Sequence, residues 1–331
     1  MRALELRKPQ AIEQEPLRKV ERASPTPGTG QLRVRVQSCG VCRTDLHLIE
    51  GELAPPMLPV VPGHQIAGIV AEVGRGVRGW KVGDRVGVPW LHRACGACDA
   101  CRRGDENLCP EAEFTGLNRD GGYAEETLAE ADFALRPPEG WAPESIAPLL
   151  CAGIIGYRSL RKTEVRPGDR LGLIGFGASA HLALQIARHW GCPTAVFTRG
   201  PGHRRLAMDL GAAWAGGIDD AAPWALDGAV LFAPSGSLVR PILERLRPGG
   251  TLAVNAIHMS PIPEMPYRVL YGERTVRSVA HATRQDGIDL LELAVKIPLR
   301  AVVKTYPLAE ANQALADMKH SRLDAAAVLV P

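Results

Sequence analysis

The sequence predicts an α/β protein that combines a β-rich region with a doubly wound parallel sheet. The first observation is the length of 331 residues, which is enough for two ordinary domains with separate cores. The second is the alternation of polar and apolar residues in the first 150 positions, and the third is the succession of short apolar and helical runs between about 153 and 284. Strands and helices that alternate at this spacing indicate a parallel sheet with helices on both faces.

Strands in the first region are predicted where polar and apolar side chains alternate, because successive side chains of a strand point to opposite faces. Residues 31–36, 66–73 and 84–88 follow this pattern, and turn signals at 25–28 and 82–84 separate them. This part of the chain is therefore expected to fold mainly as β-sheet.

From residue 170 the chain alternates between short strands and helices. The predicted strands are 170–174, 194–197, 228–232 and 251–255, and the predicted helices are 182–190, 204–210 and 238–246, the second ending before Gly211. A last segment has predicted helices at 288–295 and 308–318 and strands near 302–303 and at 326–330. Because this segment is too short for a separate domain, we predict one domain from 1–152 and 285–331 and another from 153–284.

Composition and charge exclude several classes of protein. Hydrophobic residues make up 46% of the chain and charged residues 23%, which is the balance of a globular protein rather than a disordered one. The formal net charge of +3 is too small to indicate a nucleic-acid partner. The sequence opens without a signal-peptide pattern and has no apolar run long enough to span a bilayer, so we expect a cytoplasmic protein with no membrane partner.

Four of the eight cysteines are clustered in one short stretch of the chain. In a reducing compartment, clustered cysteines bind metal more often than they form disulfides. Thiolates at this spacing can close completely around a tetrahedral Zn²⁺, so we predict a structural zinc with no position for substrate. The alternative is an iron–sulfur cluster, although the last spacer is longer than in bacterial ferredoxins. The predicted ligands are Cys95, Cys98, Cys101 and Cys109.

A second set of potential metal ligands is dispersed along the chain. Cys42 lies in the segment 40–47 among other chemically active side chains, His64 follows a glycine, and Cys151 lies in an apolar run. Each residue alone is a weak signal, since a buried cysteine is usually only a small hydrophobic residue. Together, two cysteines and one histidine form an open zinc set that keeps a fourth position for water or substrate.

The first turn of the predicted parallel sheet has the spacing of a dinucleotide-binding loop. It reads G-x-G-x-x-A between a predicted strand and a predicted helix, the context in which this motif has physical meaning. Gly175 permits the tight turn, Gly177 lets the backbone approach a pyrophosphate, and Ala180 permits close packing of helix and strand. With Ala178 and Ser179 at the helix N-terminus, these residues are predicted to bind the cofactor.

The end of the next predicted strand indicates which dinucleotide binds. A carboxylate there would take the ribose hydroxyls and repel a 2′-phosphate, but the sequence has Thr198 and Arg199, with Arg204 and Arg205 nearby. A guanidinium is a good partner for a phosphate, so NADP(H) is favoured over NAD(H), which stays open as the alternative.

In their order along the chain, these motifs resemble those of zinc-dependent alcohol dehydrogenases of the medium-chain dehydrogenase/reductase family. The resemblance covers essentially the full length and rests on 40–47, 63–64, the four-cysteine loop, 120–124, 150–153 and the glycine turn. It implies a GroES-like catalytic domain and a Rossmann domain, with one catalytic and one structural zinc per chain. It also implies reversible oxidation of small alcohols to aldehydes or ketones and assembly as a homodimer or homotetramer.

The resemblance implies roles for individual residues as well. Asp45 would accept the second ring N–H of the zinc-binding histidine and so fix its tautomer. Arg43 would approach the pyrophosphate of the cofactor. The remaining roles would fall to Cys42, His64 and Cys151 as ligands of the catalytic zinc, and to Thr44 and His47 as a proton relay through the cofactor ribose.

Three further positions are expected to affect ligand exchange at the catalytic zinc and the size of the substrate pocket. The family commonly has Glu where this chain has Gln65, and an uncharged amide is expected to slow or change ligand exchange. Trp90 matches a position that narrows the substrate pocket in relatives resembling the yeast enzyme, whereas Leu53 replaces a second tryptophan of those relatives. We therefore expect a roomier pocket that accepts primary alcohols and aldehydes beyond ethanol, with secondary alcohols as an open question.

Two other functions stay open on the sequence. One is a non-catalytic protein that binds NADP(H) and zinc, and the other is a zinc-independent quinone or enoyl reductase of the same superfamily. The intact set of two cysteines and one histidine argues against a non-catalytic protein. The same set would have no explanation in a zinc-independent reductase.

Overall fold

The computed structural model describes residues 1–297 and 299–331. The strands are β1 (Arg2–Leu6), β2 (Leu17–Glu21), β3 (Gln31–Val41), β4 (Gln65–Val73), β5 (Arg85–Val88), β6 (Leu91–Arg93), β7 (Glu113–Phe114), β8 (Glu126–Glu130), β9 (Leu171–Ile174), β10 (Thr194–Phe197), β11 (Trp214–Gly216), β12 (Leu226–Leu231), β13 (Leu246–Val254), β14 (Thr275–Ser278), β15 (Val303–Pro307) and β16 (Ala326–Val330). The α-helices are α1 (Arg43–Glu50), α2 (Asp99–Arg102), α3 (Pro143–Ile146), α4 (Ala152–Thr163), α5 (Ala178–His189), α6 (Pro201–Asp209), α7 (Val239–Arg245), α8 (Arg284–Lys296) and α9 (Ala311–Lys319).

These elements form two compact units. Unit 1 comprises Met1–Ile154 and His281–Pro331, and unit 2 comprises Ile155–Ala280. The chain passes from unit 1 to unit 2 within α4 and returns after β14. None of the helices in the described ranges is both long enough and apolar enough to cross a membrane.

The main sheet of unit 1 is built around β3, which is the longest strand of that sheet. The strand order is β15-β16-β3-β4-β5, and β8 also pairs with β3. The alternating side chains of Leu32, Val34 and Val36 are buried, which is the pattern that predicted this strand. Because β16 pairs with β3, the end of the chain joins the sheet formed by its first region.

The two strands that precede and follow the dispersed zinc ligands are neighbours. β3 ends at Val41, directly before Cys42, and β4 begins at Gln65, directly after His64. The strands are antiparallel, and Gly40 pairs with Gln65. The end of one strand and the start of the next therefore lie side by side, which brings Cys42 and His64 together although they are 22 positions apart in sequence.

Unit 2 contains a six-stranded parallel sheet in the order β11-β10-β9-β12-β13-β14. Numbered within the unit this is the order 3-2-1-4-5-6 of the doubly wound dinucleotide-binding fold. Leu171, Leu173 and Ile174 of the central β9 are fully buried, as expected for a strand covered on both faces. The chain order reverses between β9 and β12, and ligands of such sheets bind at the carboxyl ends beside this point.

Several predicted boundaries were displaced. α5 begins at Ala178 rather than at residue 182, because the small residues of the turn continue directly into the helix without showing apolar periodicity. α6 begins at Pro201, a residue whose fixed φ suits a first helical turn, and Gly211 follows its end with φ of 93°. The segment 43–50 was assigned no element from the sequence, yet it forms α1.

Candidate active site

The three dispersed ligands come together within unit 1. The Sγ atoms of Cys42 and Cys151 and a ring nitrogen of His64 all lie within 4.8 Å of one another. Two ligand atoms at about 2.3 Å from a tetrahedral zinc lie about 3.8 Å apart, so the spacing suits a shared ion. This arrangement is consistent with the sequence prediction that the three side chains converge.

The position of Cys151 relative to His64 depends on the side chain of Gln65. Its amide is almost fully buried, and its Oε1 accepts a hydrogen bond of 3.3 Å from the backbone N–H of Ala152. This bond ties the first residue of β4 to the first residue of α4. The residue that replaces the usual glutamate therefore holds two ligand-bearing segments together.

His64 provides the direct test of whether a metal fits. Its side chain is fully buried, and within the described chain its Nε2 has no hydrogen-bond partner. A buried ring nitrogen without a partner is costly unless something else binds it. Two sulfur atoms beside that nitrogen complete the donor set of an open zinc site, so the residues fit the ion.

Asp45 organises this site from the first turn of α1. Its carboxylate is almost fully buried and accepts hydrogen bonds from four groups. Oδ2 accepts from the backbone N–H of Cys42 at 2.9 Å and the hydroxyl of Tyr123 at 3.1 Å. Oδ1 pairs with Nδ1 of His64 at 3.0 Å and accepts from the backbone N–H of Gly63 at 3.2 Å. When Nδ1 donates to Asp45, Nε2 of His64 is left with its lone pair for a metal.

Hydrogen bonds and nearby charges shift the pKa values of the ionisable groups of the site. Burial alone would lower the pKa of His64, but the charge of Asp45 and the hydrogen bond to it raise that pKa to about 10. A hydrogen bond from the thiol of Cys151 lowers the pKa of Cys42 well below its ordinary value, and the same contact raises the pKa of Cys151. Zinc binding must therefore release protons, so metal affinity is linked to pH.

The loop that carries His64 is closely packed against the segment 121–123. Gly63 has φ of 95°, and a Cβ added to it would lie 2.4 Å from Cδ1 of Tyr123. A Cβ on Gly121 would lie 2.0 Å from the carbonyl oxygen of Gly63. From the sequence, Gly63, Gly121 and Tyr123 were noted only as parts of family motifs, whereas the structure shows that they pack closely around the loop that carries His64.

The polar side chains of α1 differ in their exposure to solvent. Asp45 and His47 are both buried, as side chains that line a site would be. Oγ1 of Thr44 lies 3.6 Å from Sγ of Cys42, and Nδ1 of His47 is hydrogen-bonded to the carboxylate of Glu52. Sequence reasoning missed Glu52, because the contact depends on the turn after α1. Arg43 is exposed and forms no ion pair with the described residues.

Trp90 and Leu53 are both half-buried members of unit 1. The indole of Trp90 meets the ring of His64 edge to face, with ring centroids 4.7 Å apart and planes at 70°. The backbone N–H of Leu53 donates to the carbonyl of His47 at 3.0 Å. The structure thus places Trp90 directly beside a predicted zinc ligand and Leu53 beside the predicted proton relay.

The clustered cysteines form a second ligand set around α2. Their four Sγ atoms lie within 4.8 Å of one another. Sγ of Cys95 accepts backbone N–H groups of Ala97 and Cys98 at 3.5 and 3.3 Å, and these bonds lower the pKa of Cys95 to about 7. Amide donors that favour a thiolate are suited to a metal-bound sulfur. Four thiolates fit a closed tetrahedral zinc shell.

The predicted cofactor turn lies at the carboxyl end of β9 in unit 2. Gly175 has φ of 88°, and a Cβ there would lie 2.9 Å from the backbone nitrogen of Ala233, so the tight turn needs glycine. Gly177 has φ of −152°, which other residues adopt, and a Cβ there would meet no protein atom within 4 Å. The space before Gly177 is therefore open to a ligand. The N-cap of α5 is Gly177, which has no side chain to cap the first turn of Ala178, Ser179 and Ala180.

The end of β10 contains no carboxylate. Thr198 is buried and its carbonyl accepts from Nε of Arg204 at 3.0 Å. Arg199 and Arg205 are exposed and form no ion pair with the described residues. Two unpaired guanidinium groups therefore lie close in sequence to the strand end.

Comparison with known proteins identifies the family of this chain. The alcohol dehydrogenase GroES-like domain matches residues 28–139. A probable alcohol dehydrogenase, AdhA, of Mycobacterium tuberculosis is 47% identical, covering 100% of this chain and 97% of its own. An alcohol dehydrogenase of Geobacillus stearothermophilus is 35% identical over 95% of this chain and 94% of its own. The solved cinnamyl alcohol dehydrogenase SbCAD4 of Sorghum bicolor superposes with a TM-score of 0.91 at 29% identity, covering 99% of this chain and 97% of its own.

By these matches the chain belongs to the zinc-type medium-chain alcohol dehydrogenase family, and the matched GroES-like domain lies within unit 1. It is an oxidoreductase that interconverts alcohols and aldehydes with a nicotinamide cofactor. The sequence predictions of the fold class and of the family are thereby confirmed.

Substitution of Asp45 tests its organising role. In Asp45→Asn an N–H₂ group replaces one oxygen of the carboxylate, and this group cannot accept hydrogen bonds from the donors around it. Zinc affinity should therefore fall about 10–100-fold. Tyr123→Phe removes only one neutral hydrogen bond, so its affinity should fall by less than about tenfold. Competition with a chromogenic chelator measures both affinities. Wild-type zinc affinity in Asp45→Asn would contradict the assigned role.

A pair of glycine substitutions tests the packing of the His64 loop. Gly63 and Gly83 have φ of 95° and 93°, but a Cβ on Gly83 would meet nothing within 4 Å. Gly83→Ala should therefore cost only about 1–2 kcal/mol of backbone strain. Gly63→Ala adds the clash with Tyr123, so it should cost more than about 4 kcal/mol and release zinc. Thermal unfolding with zinc analysis measures both; equal effects would contradict the packing argument.

Proposed function

We propose that this protein oxidises primary alcohols beyond ethanol, and reduces the corresponding aldehydes, with a catalytic zinc and NADP(H). The observation that carries the proposal is the imidazole of His64, whose buried Nε2 has no partner in the described chain and which has a ring nitrogen within 4.8 Å of the sulfur atoms of Cys42 and Cys151. Unit 1 would be the catalytic domain and unit 2 the dinucleotide-binding domain.

The residues of unit 1 would hold the metal and manage the proton. When bound, zinc supplies a Lewis acid that lowers the pKa of an alcohol hydroxyl, while the nicotinamide accepts the hydride. The thiolates of Cys42 and Cys151 would neutralise the formal charge of the ion, and the hydrogen bond from His64 to Asp45 would keep His64 in the tautomer that can bind it. Thr44 would take the substrate proton, and His47 would receive it with Glu52 as a hydrogen-bonded base beside it.

The residues of unit 2 would hold the dinucleotide. The open space before Gly177 and the uncapped first turn of α5 support a pyrophosphate there, since backbone N–H groups and the helix dipole favour an anion. We assign pyrophosphate contacts also to exposed Arg43, and contact with a 2′-phosphate to Arg199. The absence of a carboxylate after β10 supports NADP(H) over NAD(H).

The four-cysteine loop would hold a second, structural zinc, giving two zinc ions per chain. Its four sulfur ligands leave no position for substrate. All eight cysteines are free of disulfides, which suits a reducing compartment such as the cytoplasm.

Trp90 and Leu53 would select the substrate. The indole lies against His64, so an alcohol that reaches the metal position passes beside it. Leu53 leaves more room than a second tryptophan would, which supports alcohols larger than ethanol.

We also propose that the protein is a homo-oligomer. β14 is an edge strand of the unit 2 sheet, and Tyr267 and Tyr271 near it are 73% and 70% exposed. An open strand edge with large exposed side chains favours pairing with a second copy, as a dimer or as half of a tetramer.

Metal content together with turnover tests the proposed function. The wild-type protein should contain two zinc ions and form NADPH in proportion to added alcohol. Cys42→Ser should lose one zinc and all turnover, because an open site cannot spare a ligand. Cys98→Ser should also lose one zinc and lower the unfolding temperature, but the zinc that remains should still support turnover. One zinc in the wild-type chain and no alcohol oxidation would favour a binding protein instead.

Substitution of Arg199 tests the cofactor preference. A charge-assisted hydrogen bond to phosphate contributes about 1.5–3 kcal/mol, so Arg199→Ala should raise the KM for NADP⁺ by about 10–100-fold and leave that for NAD⁺ unchanged. Arg240→Ala is the charge-matched control, since among the described residues Arg240 pairs with Glu244 of its own helix α7 alone. Steady-state kinetics with both cofactors gives the answer; equal changes in both KM values would contradict the assignment.

A further inference from the structure

Four rings of unit 1 form a contiguous cluster beside the metal ligands. We call His64, Trp90, Phe114 and His281 the ring cluster. Trp90 meets His64 edge to face at 4.7 Å and stacks on Phe114 at 4.9 Å with planes at 20°. His281 lies against Phe114 at 4.5 Å, and its Nδ1 accepts a hydrogen bond of 2.9 Å from the indole N–H of Trp90. The indole of Trp90 therefore contacts all three other rings of the cluster, one of which belongs to the predicted zinc ligand His64.

Secondary structure fixes the positions of these rings. Trp90 directly precedes β6, Phe114 ends β7, and the two strands pair through Leu91 and Phe114. His281 lies two residues before Thr283, whose side chain caps α8. Arg284, the first residue of that helix, binds the carboxylate of Glu106 through several hydrogen bonds. The backbone at His281 is thus anchored by the start of α8.

The hydrogen bond between the two side chains has a defined direction. An indole N–H can only donate, so Nδ1 of His281 must carry a lone pair. Burial lowers the pKa of His281, which keeps the ring neutral near neutral pH. His281 has φ of 54°, in the left-handed region where Asn and His are enriched among residues other than glycine. The backbone conformation and the hydrogen bond together direct the imidazole to Trp90.

We propose that His281 is a positioning residue for substrate selection, which fixes the indole of Trp90 against His64 and so sets the space that an alcohol finds beside the metal position. This inference rests on the proposed function, because it gives Trp90 a substrate to select. Removal of the acceptor leaves the indole held only by ring contacts. The indole can then tilt, and discrimination between small and bulky alcohols should weaken.

The test uses two variants of His281 and one of Trp90. His281→Phe keeps a ring against Phe114 but removes the acceptor. His281→Asn keeps an acceptor one bond from Cγ, where Nδ1 lies in histidine, and suits the left-handed backbone. Trp90→Phe removes the donor and also identifies the indole signal of Trp90 by its disappearance from the spectrum of ¹⁵N-tryptophan-labelled protein.

Two measurements separate positioning from general damage. The ratio of kcat/KM for a bulky primary alcohol to that for ethanol should change by about 5–10-fold in His281→Phe and by less than about twofold in His281→Asn. The variant with both Trp90→Phe and His281→Phe should show no further change beyond Trp90→Phe. The Trp90 indole signal should shift in His281→Phe and keep its wild-type position in His281→Asn, with zinc content unchanged in both.

Three results would overturn the inference. They are an unchanged substrate ratio in His281→Phe, equal impairment in His281→Phe and His281→Asn, and additive effects of the Trp90 and His281 substitutions. None of these results contradicts the proposed function. The proposed function is contradicted instead if the wild-type protein does not oxidise alcohols. The position of the indole signal can be tested even then, because it needs no turnover.

Discussion

The buried carboxylate of Asp45 is the constraint on which the active site depends. A charge removed from water costs several kcal/mol unless hydrogen bonds and an opposite charge compensate it. Asp45 finds four donors, and they come from the start of its own helix, from the loop before β4 and from Tyr123. The chain can satisfy this carboxylate only by bringing those segments together. The same carboxylate fixes Nδ1 of His64, so the packing of these segments also orients the ring that lies beside Cys42 and Cys151.

Much of this architecture was predictable because its signals are local. Alternating burial in β3, short apolar strands in unit 2 and the strand–turn–helix context of Gly175 and Gly177 depend on neighbours in sequence. The spacing of the four clustered cysteines likewise limits them to one site. The convergence of Cys42, His64 and Cys151 was different, because it was predicted from their types and from a family resemblance rather than from any local pattern.

What the sequence did not predict depends on tertiary contacts. α1 buries Asp45 and His47 beside apolar residues, so its polar composition concealed a helix. Tyr123 lies 78 positions from Asp45, and His281 lies 191 positions from Trp90. No periodicity connects such pairs. The glycines beside Tyr123 were the available signal, since small residues permit close packing, but they do not say which loop packs there.

In the proposed active site, two sulfur atoms and one nitrogen hold a zinc ion and leave one position open. Diffraction from crystals of the zinc-loaded protein, measured on both sides of the zinc absorption edge, tests it most directly. The account predicts an anomalous peak about 2.3 Å from the sulfur atoms of Cys42 and Cys151 and about 2.0–2.1 Å from Nε2 of His64, with a water or a substrate as fourth ligand. A peak absent from this position, or closed off by a fourth protein ligand, would contradict the account.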